Sequence, residues 1–72
     1  MKTDEISPAA SHLLHAFADL ETRHQAPTVQ AAAILANTTF MDAYTLVNEL
    51  FSAGLLDHDL GLSEAGTKAI EA

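Results

Sequence analysis

His12, His15 and Asp19 come nearest in this chain to a set of metal ligands. On a helix they fall within about 60° of one another. A histidine and an aspartate four residues apart can share a metal ion. A solvated helix face outweighs that reading, because ligands on one exposed helix, with nothing behind them to orient the imidazoles, seldom select a metal. Asp57-His58-Asp59 could act as a pH-sensitive spot, as a histidine among carboxylates can, although an ordinary polar turn is simpler. Ser7, Ser11, Ser52 and Ser63 all have cap or surface explanations, and no Ser–His–Asp arrangement can be ordered from them. The chain has no cysteine and no glycine-rich phosphate loop. We therefore expect no catalytic residues, no metal, no cofactor and no small-molecule substrate.

The elements that must carry these residues belong to one small domain. Seventy-two residues leave no room for two. Apolar residues make up 49% of the chain, enough for a core. No apolar run approaches the roughly 18 residues that span a bilayer. Met1-Lys2-Thr3-Asp4-Glu5 carries acid where a secretion signal is basic and then apolar, so a cytoplasmic location is expected. Ten carboxylates face three basic side chains, Lys2, Arg23 and Lys68, for a net charge of −7. From His24 to Thr67 there is neither lysine nor arginine. Binding to duplex DNA rests mainly on those cations, and this chain lacks them across its middle.

Residues 1–6 carry no pattern and are expected as a disordered tail, followed by a single domain over 7–72. Ser7-Pro8 is a helix start: serine caps the free amides, and proline suits the first turn, where its missing N–H has no partner. Ala9, Ala10, Leu13, Ala16, Phe17 and Leu20 then share one face, with Leu14 at its border. The helix should stop near Arg23 to Gln25, because Pro27 disfavours helical geometry at Ala26. Thr28 caps a short alanine-rich helix, Val29 to Ala36. Asn37-Thr38-Thr39 is a polar break, with asparagine suited to a left-handed residue and threonine to a cap.

A third helix runs from about Phe40 to Ala53. Phe40, Ala43, Leu46, Val47, Leu50, Phe51 and Ala53 fall on one face, with Tyr44 at its edge. Met41, Asp42, Thr45, Asn48, Glu49 and Ser52 fall on the other. Gly54 ends this helix. Leu55 to Asp57 and Leu60 to Leu62 are expected to form a minimal β-hairpin, and Ser63 to cap a last short helix, Glu64 to Glu71. Gly66 weakens that helix by about 1 kcal/mol relative to alanine. The fold class is mainly α.

This order of elements, over Pro27 to Gly66, resembles a winged helix-turn-helix domain. Thr28-Val29-Gln30-Ala31-Ala32-Ala33 resembles its capped second helix. Leu46 to Leu56, an apolar stripe running into Gly54-Leu55-Leu56, looks like the end of its third helix and the first wing strand. Leu62-Ser63-Glu64-Ala65-Gly66 resembles the stretch after the wing in the multiple-antibiotic-resistance-regulator branch. The resemblance implies three helices, a hairpin wing and a short C-terminal helix, with the third helix entering the major groove. Here the wing shrinks to Asp57-His58-Asp59-Leu60 and is acidic. The resemblance implies that the inward positions of the second helix fall near Ala32, Ala33 and Ala36, which pushes Ile34 or Leu35 toward the surface, close to Met41. A slightly rotated helix would instead place both in the core.

From these residues we expect a non-enzymatic winged-helix module that binds protein, by self-association, through a partner, or both. Its expected interaction surface is Ile34, Leu35, Met41, Asp42, Thr45, Asn48, Glu49 and Ser52. The long first helix offers a dimer seam, and the acidity would also suit a mimic of DNA. The alternative is a dimeric DNA-binding regulator, which would rely on Thr38, Thr39, Thr45, Asn48 and the cations Lys2, Arg23 and Lys68.

Overall fold

The computed structural model describes residues 6–71. Four helices follow in order: α1 (Pro8–Thr22), α2 (Val29–Ala36), α3 (Phe40–Ser52) and α4 (Glu64–Glu71). The fold is mainly helical, and the bounds match the expected ones to within a residue or so.

Local chemistry sets those bounds. The hydroxyls of Ser7, Thr28 and Thr39 accept the amides of Ala10, Ala31 and Asp42 at 3.1, 3.0 and 3.1 Å. Ser63 does the same for Gly66 at 3.0 Å. Each cap satisfies an amide that has no partner within the helix. The first three helices also end alike, on a left-handed residue: His24 (φ 60), Asn37 (φ 58) and Gly54 (φ 75). In each, the next amide reaches back to the last turn, with Gln25 on Leu20, Thr38 on Ala33 and Leu55 on Leu50, all at 3.0 Å. This is the Schellman closure.

α1 is the central helix and packs against α2, α3 and α4. It buries Ala10, Leu13, Leu14, Ala16, Phe17 and Leu20. They meet Ala32, Ala33 and Ala36 of α2 and Ala43, Val47 and Leu50 of α3, with Leu55 and Leu56 closing the base. Phe17 and the leucines supply most of the driving force, about 1.5–3 kcal/mol for each large side chain fully buried. The alanines add little burial, but they allow the helices to approach closely.

Several expectations are corrected. Ala9 is exposed, while Leu14 is fully buried, so the buried face of α1 turns toward Leu14. Ile6, expected in the tail, is half-buried and packs against the core; residues 1–5 of that tail lie outside the described residues. The hairpin shrinks to one antiparallel bridge, Leu56 with Leu62. Its turn does close: the Leu60 amide reaches the Asp57 carbonyl at 2.9 Å, and the Asp57 amide reaches the Gly61 carbonyl at 2.8 Å. This is a three-residue loop whose last residue must be left-handed. Glycine usually takes that place. Here Leu60 does (φ 68), half-buried against the core, and Gly61 comes one position too late.

Candidate interaction surface

Helix α3 positions most of the candidate surface, and its outward sector divides lengthwise. At 100° per residue, Phe40, Tyr44 and Phe51 form one line. Asp42 and Glu49 form another, roughly 160° around the helix. Met41, Thr45, Asn48 and Ser52 lie between them. Met41 is 75% exposed, Tyr44 57%, Phe40 52% and Phe51 37%. Three of the four aromatic residues of the chain thus lie on the surface of one helix. The Phe40 and Tyr44 rings stack, 5.8 Å apart at 15°.

Phe40 and Phe51 were expected on the core face, and the structure moves both outward. The buried strip of α3 is narrower, Ala43, Val47 and Leu50, with Leu46 half-buried beside it. A fold of this size has too little chain to cover an apolar face that wide. A signal was present in the sequence: the spacing i, i+4, i+11 sets the aromatics on one line, displaced from the line of small and aliphatic residues.

The remaining candidates separate by role. On α2, Ile34 is 72% exposed, while Leu35 is half-buried against the core, which decides between the two. Asp42, Thr45, Asn48 and Ser52 are exposed. The Thr45 hydroxyl donates to the Met41 carbonyl, 3.3 Å away. Glu49 is half-buried and engaged within the fold: Oε2 accepts the Ser7 amide at 2.7 Å, and Oε1 lies 3.3 Å from the Ser7 hydroxyl.

Three of the groups considered for other chemistry, His15, Asp19 and Asp59, make contacts within the fold. Asp19 pairs with Arg23 at 3.1 Å rather than with His15. The His15 Nδ1 donates to the Ser11 carbonyl at 2.8 Å. A shallow groove of about 410 Å³ runs past His12, His15 and Asp19 to Leu35. Among the described residues no three histidines or carboxylates stand close enough to hold a metal. Asp57, His58 and Asp59 are exposed, and Asp59 accepts the Gly61 amide at 3.0 Å. A second hollow, about 210 Å³, has Phe17, Pro27, Leu60 and Leu62 in its wall and Glu21, His24 and Gln25 at its polar side.

Comparison with protein families, with curated proteins and with solved structures finds no match for this chain.

α3 itself carries no lysine or arginine. Arg23 ends α1 beside Asp19, and Lys68 on α4 is 4.0 Å from Glu64. Lys2 lies outside the described residues. Among the described residues no helix is long and apolar enough to cross a membrane.

Proposed function

We propose that this chain is a non-enzymatic protein-interaction module of winged helix-turn-helix type, and that its contact surface is the outward side of α3 with Ile34 of α2. One observation carries the reading: the face that a DNA-binding relative would present to the duplex is here apolar and acidic. It exposes Phe40, Met41, Tyr44 and Asp42, and holds no lysine or arginine. Exposed apolar groups gathered on one element mark contact sites, and a surface without cations has nothing with which to release counterions from DNA.

The fold assignment has its own support. α2 and α3 pack on each other across the three residues 37–39, opened by left-handed Asn37. That is the length and chemistry of a helix-turn-helix turn. The closed loop at 57–61 stands where a wing would.

Self-association through α1 has little support, since that helix spends its apolar residues inside the chain and turns His12, His15, Glu21 and Thr22 outward. A DNA mimic would need rows of free carboxylates, and of the two on α3 Glu49 is held by Ser7.

The test is a titration against random duplex DNA at low salt, beside light scattering over a range of protein concentrations. The expected result is no DNA binding in the micromolar range. Micromolar binding that falls steeply with salt would overturn the proposal in favour of a DNA-binding regulator.

A further inference from the structure

The interaction reading leaves the partner open, and the inference below rests on that reading. We infer that α3 docks an amphipathic helix of another protein, one that carries lysine or arginine beside its apolar residues.

The aromatic line from Phe40 to Phe51 covers about 11 residue steps, a rise of about 16 Å, or three turns of a partner helix. Its first two rings are already stacked on each other, so little side-chain freedom is lost when they are covered. Helices recognised in this way present apolar anchors at i, i+3, i+4 and i+7. Met41, the most exposed of the large apolar side chains here, lies between the aromatic line and the acidic one. A helix laid over Met41 sets its apolar residues against Phe40 and Tyr44. Its long cationic side chains extend toward Asp42, or lie over the ring faces.

Charge selects this occupant over a second copy of the chain. Two copies would each bring a net charge of −7, and α3 carries no lysine or arginine to offset it. A cationic helix brings the opposite sign, and electrostatic complementarity of this kind speeds encounter and rejects like-charged partners.

Tyr44 is the only tyrosine and there is no tryptophan, so its fluorescence reports directly on the proposed surface. The probes are an 18-residue Leu/Lys peptide patterned as an amphipathic helix, the Leu/Glu peptide of the same pattern, and a Leu/Lys peptide of scrambled pattern. All lack aromatic residues. The intact protein is titrated at about 150 mM salt, where exposed charges more than about 8 Å apart are largely screened. The patterned Leu/Lys peptide should change Tyr44 fluorescence and bind at micromolar concentration. Phe40→Ala should weaken it at least tenfold and Asp42→Asn about threefold, whereas Asp57→Asn with Asp59→Asn, on the turn, should change it less than twofold. Met41→Glu is a second surface variant; with Phe40→Ala it is checked for native helicity first, and it too should weaken binding tenfold.

Equal binding of the scrambled or the Leu/Glu peptide would overturn the inference, as would no peptide binding, or peptide binding untouched by Phe40→Ala and Met41→Glu. Concentration-dependent dimers abolished by Phe40→Ala, without peptide binding, would overturn it in favour of a second copy while leaving the interaction module standing. Salt-sensitive binding of duplex DNA would overturn both.

Discussion

The carboxylate of Glu49 caps the start of α1 from 42 residues away, with its Oε2 2.7 Å from the Ser7 amide nitrogen. α1 has no acidic residue in its own first turn. α3 therefore supplies the negative charge that a helix N-terminus favours, and in doing so pins the two helices together. Ser7 is doubly used, since its hydroxyl also accepts the Ala10 amide.

Glu49→Ala should cost about 1.5–3 kcal/mol, the range for a hydrogen bond to a charged group. In a domain of this size each kcal/mol lowers Tm by about 4–8 °C. Glu49→Gln keeps an acceptor oxygen and should cost about half as much. Thermal unfolding followed by circular dichroism checks both, and an unchanged Tm for Glu49→Ala would show that the pair contributes nothing.

Gly66 should resist the substitution that normally strengthens a helix. Glycine to alanine inside a helix ordinarily gains about 1 kcal/mol. Here a Cβ at Gly66 would overlap the Leu55 carbonyl oxygen, backbone that cannot swing aside as a side chain would. That carbonyl also accepts the Ser63 amide at 3.2 Å, so a shift there disturbs the cap of α4 as well. Gly66→Ala should destabilise the protein by about 1–3 kcal/mol, the cost of overpacking. A rise in the urea midpoint would contradict the close approach of α4 to Leu55.

His24 and Asn37 should behave in the opposite way. Both are left-handed, where a side chain costs energy that glycine does not. Asparagine tolerates the geometry better than histidine does. His24→Gly should therefore raise stability by about 0.5–1 kcal/mol, and Asn37→Gly by less. Paired denaturant titrations decide; a loss of stability at His24 would mean that its ring does work at the edge of the small hollow beside Pro27.

The aromatic residues should divide sharply in their effect on stability. Phe17→Ala removes a ring at 1% exposure and should cost about 3–5 kcal/mol, enough to unfold so small a domain. Phe40→Ala and Met41→Ala, on the surface of α3, should each stay within about 1 kcal/mol of the parent. Circular dichroism melts read the difference directly. Unfolding by Phe40→Ala would place that ring in the core after all.

Sequence alone determined where the helices begin and end. Ser7, Thr28, Thr39 and Ser63 were readable as caps, and Asn37 and Gly54 as left-handed ends, because each contact lies within a few residues of its own chain. Most of the core was readable too, since Leu13, Phe17, Val47 and Leu50 repeat at the helical period whatever the neighbours do. The tertiary structure alone decided which apolar residues stay outside. Periodicity gives a residue's direction around its helix but not how far a neighbouring helix extends to meet it, so Phe40 and Phe51 looked like core and are surface. The same limit hid the service of Glu49 to Ser7 and the reason for Gly66: each depends on two segments distant in sequence meeting within bonding or overlap distance, a relation that no pattern within either segment contains.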